Sequence, residues 1–150
     1  QSLSSFYWHN IIDKDSPFLV FLQHTNLVPK EWYNSKNDYY IGVYVPQNHP
    51  YLTEENYKNT GIQEEWFTYL MKLFPNFDPT QTSDINLFKF SHAQHVVDVT
   101  YPEKIPPYNL PFPHSYLANF SQIFPEDRGT NYAVREGVKI AELITNDLIQ

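Results

Sequence analysis

Hydrophobic residues group at the spacing of buried β-strands in the first third of the chain. The run from Phe18 to Leu22 predicts one strand, and residues 39–45, which Pro46 ends, predict a second. A polar turn precedes the second run, and the two runs lie close enough in sequence for an antiparallel pair. Gly42 inside the second strand indicates a bulge or a close approach of another part of the backbone.

Two further stretches carry apolar residues at helical spacing. Residues 62–73 predict a helix that Pro75 ends, and a separate helical piece at Thr53–Glu55 precedes it, with Thr60-Gly61 as the break between them. The last helix is predicted from about Thr130 to Ile149. One stripe of this helix is expected to face the core, with its glycine packed tightly against a neighbour: Ala133, Gly137, Ile140, Ala141, Ile144 and Leu148.

The region between these helices has a β-like pattern that prolines interrupt. Residues 85–100 predict a long strand, residues 101–114 hold five prolines and predict an extended connector or lid-like loop, and residues 116–123 predict the last strand. The order of elements predicts an α+β fold, with a mostly antiparallel or mixed sheet, flanking helices and a long C-terminal helix. We expect residues 1–150 to form a single domain.

The composition excludes several classes of function. The net charge is −7 and there is no run of Lys or Arg, so we expect no nucleic acid partner. No apolar stretch approaches the about 20 residues of a membrane span, so no membrane partner is expected either. Zero cysteines exclude a disulfide framework and a thiol nucleophile, and they favour a cytoplasmic protein. The chain starts on Gln1 without Met or a signal-peptide pattern, so we expect a piece of a longer protein.

The turn before the last helix holds the candidate site. A β-like run leads into the polar sequence Pro125–Asn131, and a helix follows directly. Gly129 can adopt a positive φ or let a ligand approach the backbone, and Thr130 or Asn131 can cap the helix or leave its N–H groups to a ligand. Arg128 pairs with one of the two carboxylates before it, or it meets the ligand. An ordinary strand–turn–helix with a capped terminus is the alternative interpretation.

The histidines and the possible nucleophiles of the chain give weaker indications of a functional site. His92-x-x-His95 is the only closely spaced histidine pair, and in a β-like context its rings point to opposite faces, so no metal site is predicted. His24, at a strand end beside Asn26, is a better candidate for a polar pocket, with a structural histidine as the alternative. Nucleophilic hydrolysis is not expected, because the chain has no Gly-x-Ser-x-Gly sequence and no Cys.

The sequence Phe124–Gly137 resembles the C-terminal, flavin-proximal segment of FAD-dependent oxidoreductases of the flavin amine oxidase and protoporphyrinogen oxidase type. UDP-galactopyranose mutase is a more distant relative of this family. The resemblance is specific over residues 116–141 and loose over most of the rest. Four upstream motifs fall in the order of that family's substrate-binding part: Phe6-Tyr7-Trp8, Pro17-Phe18, His24-Thr25-Asn26 and Ala93-Gln94.

The resemblance implies an FAD cofactor and a small-molecule substrate. In such enzymes the last helix aims its N-terminus at the pyrimidine edge of the flavin, where oriented N–H groups stabilise the negative charge that reduction creates. By position, the implied cofactor-facing residues are Arg128, Gly129, Thr130, Asn131 and Tyr132. The implied substrate-binding residues are His24, Asn26 and Tyr44, the last on an aromatic strand face.

The departures from the family set the limits of the resemblance. None of the four glycines forms Gly-x-Gly, so the fingerprint that binds the ADP part of FAD is missing. The implied partner is therefore an N-terminal FAD-binding part of the same protein, and the fragment alone is expected to be inactive and to hold FAD weakly. Ala93-Gln94-His95 also departs from the family, which has proline after Gln.

Two alternatives to the amine oxidase resemblance stay open. The first is a stand-alone module that binds carbohydrate or peptide, since 12 Tyr, 11 Phe and 3 Trp can line a ligand surface as well as a core. The second is part of a flavin-dependent sugar mutase, which shares the fold of the first family.

Overall fold

The computed structural model describes residues 2–34, 36–53 and 59–149, the side chains of residues 59 and 60 excepted, and its fold is α+β, as predicted. The regular elements are strands β1 (Trp8–Asn10), β2 (Val20–Gln23) and β3 (Tyr39–Gly42) and helices α1 (Pro50–Thr53), α2 (Asn59–Leu73) and α3 (Thr130–Ile149). Within the described residues, no helix combines the length and the apolar composition that a bilayer span requires. The chain divides into two compact units, Gln1–Ser91 and His92–Gln150. The single domain expected over residues 1–150 stays a prediction.

The sheet of the first unit has three antiparallel strands in the order β1-β2-β3. Trp8 pairs with Leu22 and Val20 pairs with Gly42, so the predicted antiparallel pairing of β2 with β3 is confirmed. A Cβ atom at Gly42 would lie 3.2 Å from Val20 Cγ1, so a side chain approaches the backbone closely at this glycine. The sequence does not predict β1, because its three residues are too few to show a hydrophobic alternation.

The core of the first unit forms between α2 and the sheet. Phe18 and Phe21 are fully buried, and Tyr69 and Leu70 of α2 are buried with them. The rings of Phe18 and Tyr69 meet edge-on, with 5.4 Å between their centroids, which is a geometry that aromatic pairs favour. The helix predicted over residues 62–73 is confirmed by this packing.

The break predicted at Thr60-Gly61 is wrong. α2 runs through both residues without interruption. A glycine inside a helix costs about 1 kcal/mol relative to alanine, and the burial of the neighbouring Ile62 outweighs this cost. The helical piece predicted before the break ends at Thr53 as α1, and its residues 54–55 lie outside the described residues.

Gln23, the last residue of β2, is fully buried and uses both ends of its side-chain amide. Its Oε1 accepts hydrogen bonds from the backbone N–H groups of Leu3 (2.8 Å) and Ser4 (3.0 Å). Its Nε2 donates to Ser2 Oγ and Asn26 Oδ1, both at 2.6 Å. Because buried amides need such partners, this network attaches the segment before β1 to the sheet.

Helix α3 has the predicted bounds, but its packed face differs from the predicted stripe. Ala133 and Gly137 are exposed, and a Cβ atom at Gly137 would meet nothing within 4 Å, so the tight packing expected there is wrong. Within the described residues, Glu136 is the buried residue of this helix. A hydrophobic pattern cannot predict this face, because a hydrogen-bonded carboxylate is buried on it.

The strands predicted over residues 85–100 and 116–123 are wrong, so a 3₁₀ turn and not a strand precedes the candidate site. Among the described residues, the second unit has one isolated β-bridge, between Asn109 and Tyr116, and no longer strand. Apolar alternation forms a strand only where a neighbouring strand pairs with it. Short 3₁₀ turns occupy two parts of this region: Tyr101–Lys104 and Phe120–Gln122.

Candidate functional site

The start of α3 presents backbone N–H groups that the described part of the chain leaves without acceptors. The Gly129 carbonyl accepts the first hydrogen bonds of the helix, from Tyr132 N at 3.0 Å and Ala133 N at 3.1 Å. The N–H groups of Gly129, Thr130 and Asn131 precede these bonds, and no described residue accepts from them. The first turn of α3 contains no acidic side chain. The positive end of the helix dipole therefore meets no protein carboxylate in its own turn.

Gly129 leaves room at this helix start rather than supplying an unusual backbone conformation. Its φ is not positive, so the conformational freedom that the sequence allowed there is not used. A Cβ atom at this position would lie 2.6 Å from Asn131 Oδ1, because the Asn131 side chain folds back over the glycine. A larger residue would displace that side chain, so the glycine accommodates the Asn131 side chain at the start of the helix.

Arg128 places a positive charge directly before α3. Its side chain is only 20% exposed. Its Nη2 lies 3.9 Å from Asp127 Oδ1, a carboxylate that is itself 95% exposed, so water screens this pair. The other predicted partner, Glu126, pairs with Arg135 instead, at 2.7 Å. The guanidinium of Arg128 therefore has no close carboxylate partner among the described residues and can bind another acceptor.

His95 adds a buried donor next to Arg128. Its Nδ1 lies 3.5 Å from Arg128 Nη1, and because a guanidinium only donates, Nδ1 accepts and Nε2 carries the proton. Nε2 is buried and has no hydrogen-bond partner within the described residues. The ring stacks on Tyr101, with 4.9 Å between centroids and 19° between planes. A buried donor without an acceptor costs about 1–3 kcal/mol, so a group that accepts from it would remove this cost.

The sequence assigns no role to His95 beyond the rejected metal pair. The one signal for it in the sequence is the departure from the family pattern at Ala93-Gln94-His95. Over the described ranges, no group of three or more His, Asp or Glu side chains could hold a metal ion. The backbone N–H groups of residues 129–131 and His95 Nε2–H are donors without acceptors among the described residues, so the site fits an electron-rich or anionic ligand.

An ion-pair network holds the first turns of α3 in place. Arg135 donates from Nε to Glu136 Oε1 at 3.0 Å, in addition to its pair with Glu126. Its guanidinium also lies over the Tyr132 ring, 4.9 Å from the centroid. The hydrogen bond from Arg135 holds the pKa of Glu126 below its usual value. This network fixes the loop before Arg128 to the helix that follows it.

The implied substrate residues lie in the first unit, around the end of β2 and beyond β3. His24 Nε2 hydrogen-bonds to Tyr33 Oη at 2.9 Å, and its ring meets the Tyr40 ring edge-on at 5.0 Å. Asn26 Nδ2 donates to the carbonyls of Ser4 and Phe6, and its Oδ1 accepts from Gln23, as described above. Both side chains thus make structural hydrogen bonds.

Tyr44 is the third implied substrate residue. Its side chain is 67% exposed and lines a pocket of the first unit.

The five implied flavin-facing residues are consecutive at the start of α3 in the second unit.

The comparisons with known proteins add no assignment, since no family model, curated protein or solved structure matches this chain.

Proposed function

We propose that this chain is the substrate-binding and flavin-facing domain of an FAD-dependent oxidoreductase that resembles the flavin amine oxidases. The observation that carries the proposal is the set of donors at the start of α3. Backbone N–H groups of residues 129–131, the Arg128 guanidinium and the buried His95 Nε2–H all lack a strong acceptor among the described residues. Such a set stabilises an electron-rich ligand edge.

The residues at this helix start suit the pyrimidine edge of a flavin. When bound, FAD supplies the acceptor for a hydride or its equivalent from a C–N or C–C bond of a small-molecule substrate. The N–H groups of Thr130 and Asn131 would donate to the edge of the ring that gains negative charge when the flavin is reduced. Gly129 accommodates the Asn131 side chain, and Tyr132 is fixed by its contact with Arg135.

The exposed surface supports a partner domain. Much of this surface is apolar, with Val99 at 99%, Val96 at 84% and Phe88 at 75% exposure. The proposed partner is the N-terminal FAD-binding part of the same protein.

The remaining parts of the proposal follow from the flavin-facing role of the domain. The chain alone is inactive and holds FAD weakly, because it has no Gly-x-Gly fingerprint for the ADP part. His24, Asn26 and Tyr44 belong to the substrate side. The absence of cysteine supports a cytoplasmic location.

The absorbance spectrum of the purified intact protein tests the proposal. We expect the flavin bands, and we expect Arg128→Ala to lower FAD occupancy and to make flavin reduction less favourable. Lys30→Ala removes an exposed cation of the first unit and serves as the matched control, with unchanged occupancy. An intact protein that is colourless and takes up no added FAD would overturn the proposal.

A further inference from the structure

A second candidate site lies in the first unit, and Tyr44 is the one implied substrate residue that lines it. It is a pocket of about 440 Å³ between the loop Lys14–Pro17, residues 43–46 after β3, the start of α1 at residues 49–51, and Glu65 of α2. This volume is within the range of small-molecule sites, about 300–1,000 Å³. We call it the α1 pocket.

The polar groups of the α1 pocket are fixed by hydrogen bonds. The backbone N–H of Tyr51 donates to His49 Nδ1 at 3.2 Å, so the imidazole carries its proton on Nε2, which is a donor. The Tyr51 hydroxyl donates to Glu65 Oε2 at 2.7 Å and accepts from Trp66 Nε1 at 3.3 Å. The second oxygen of Glu65 is an acceptor. The wall therefore offers one held donor and one held acceptor.

The apolar parts of the α1 pocket are flat and rigid. Pro17, Pro46 and Pro50 contribute to its wall, and the exposed ring of Tyr44 stands beside them. Aromatic faces and proline rings stack on ligand C–H groups with little loss of side-chain entropy.

The charges of the α1 pocket favour a neutral ligand. Lys14 lines it together with the carboxylates Asp15 and Glu65. An anionic ligand meets the two carboxylates, and a cationic ligand meets the Lys14 ammonium as well as the carboxylates that attract it. A neutral ligand that both donates and accepts hydrogen bonds meets no like charge.

We propose that the α1 pocket binds a neutral pyranose ring. The C–H face of the sugar stacks on Tyr44, one hydroxyl donates to Glu65, and another accepts from His49 Nε2–H. The shared chemistry is that of a free monosaccharide or of one unit of a glycan chain. This inference rests only on residues of the first unit, of which Tyr44 is shared with the proposed substrate side. The sugar titration tests the inference and the flavin absorbance tests the proposed function, so either can fail without the other.

Trp66 supplies the measurement, because its indole N–H contacts the Tyr51 hydroxyl at the pocket wall. The chain has three tryptophans, so three indole N–H signals are expected in an NMR spectrum, and Trp66→Phe identifies the relevant one. Titration with methyl glucoside, methyl galactoside and methyl mannoside is expected to shift this signal with at least one of them, at a Kd on the order of millimolar. A longer oligosaccharide that binds more tightly than the preferred methyl glycoside indicates a glycan chain, and equal binding indicates a free sugar.

Matched variants separate binding in the pocket from other effects. We expect Tyr44→Ala to weaken binding about tenfold, because the stacking platform is lost. Glu65→Gln keeps an acceptor for the Tyr51 hydroxyl and is expected to weaken binding severalfold. Phe88→Ala, which removes an exposed aromatic ring outside the pocket, is expected to leave binding unchanged.

Three results would overturn the inference. The first is the absence of any shift of the Trp66 signal with the three methyl glycosides up to about 50 mM, a concentration well above millimolar affinity. The second is equal sugar binding by Tyr44→Ala and the unchanged protein. The third is tighter binding of glucosamine or glucuronate than of the neutral glucoside, since this would place a charged ligand in the pocket.

Discussion

The Tyr108 hydroxyl donates a short hydrogen bond to the buried Glu136 carboxylate and accepts one from Lys139 Nζ at 2.9 Å. The bond joins the proline-rich segment to α3 across 28 positions of the sequence. It is the leading cause of the lowered pKa of Glu136, followed by the hydrogen bond from Arg135, and together these outweigh the effect of burial. Tyr108 therefore holds a charge in the interior of the second unit.

Tyr108→Phe is expected to destabilise the chain by about 1–2 kcal/mol, because it leaves a buried carboxylate with one donor fewer. Urea unfolding followed by circular dichroism measures this change. Tyr132→Phe is the matched control, since no hydrogen bond to the Tyr132 hydroxyl is found in the described part of the chain. Equal stability of the two variants would contradict the role assigned to Tyr108.

Glu136→Gln is expected to flatten the acid side of the stability profile. The folded-state pKa of Glu136 is lowered from 4.5, so its contribution is present above pH 4.5 and is lost as the pH falls through the folded-state value. The urea midpoint of the unchanged protein should thus fall more steeply below pH 4.5 than that of the variant. Glu142→Gln, an exposed position of the same helix, should keep the original slope.

Tyr116→Phe is expected to raise the pKa of Asp147. The Tyr116 hydroxyl and His114 Nδ1 both donate to Asp147 Oδ2, and the bond from Tyr116 is the larger cause of the lowered pKa. Without it the pKa moves up toward 3.8. A titration of the Asp147 carboxyl carbon by NMR measures the change, and His114→Ala should give a smaller rise. The reverse order would show that the histidine dominates.

The two glycines around α3 are expected to respond differently to alanine. Gly137→Ala should stabilise the chain by roughly 1 kcal/mol, because a Cβ there meets nothing within 4 Å and alanine is the better helix former. Gly129→Ala should gain no stability, because its Cβ displaces the Asn131 side chain. The proposed function further predicts that Gly129→Ala lowers the FAD occupancy of the intact protein. Thermal unfolding of both variants gives the comparison, and a destabilised Gly137→Ala would indicate a packed face there.

Local patterns predict the elements whose causes are local. The pairing of β2 with β3 and the bounds of α3 follow from hydrophobic runs and from the residues that end them, such as Pro46. The strands expected over residues 85–100 and 116–123 do not form, because a strand also requires a neighbour that no local pattern specifies. In the second case Asn119 and Gln122 cap a 3₁₀ turn instead, and they satisfy the backbone from within the segment.

Local sequence patterns likewise predict one part of the candidate site and not the other. The helix start at Gly129–Asn131 follows from a glycine before a periodic run, and the structure has these residues consecutive at the first turn. The burial of Glu136 depends on Tyr108, which is distant in sequence, so no local pattern indicates it. The contact between His95 Nδ1 and Arg128 likewise joins residues that are 33 positions apart in the sequence. Contacts between residues so far apart in the sequence cannot be predicted from local patterns.

The buried amide of Gln23 also decides how β2 aligns with its neighbours. Val20, Phe21 and Leu22 are all apolar, so a shift by one residue would still turn apolar side chains toward the core, but it would move Phe21 out of it. Such a shift in register would turn Gln23 to the opposite face and leave the backbone N–H groups of Leu3 and Ser4 without an acceptor. A single polar side chain thus adds its four hydrogen bonds to the burial of Phe21 in favour of the observed strand alignment.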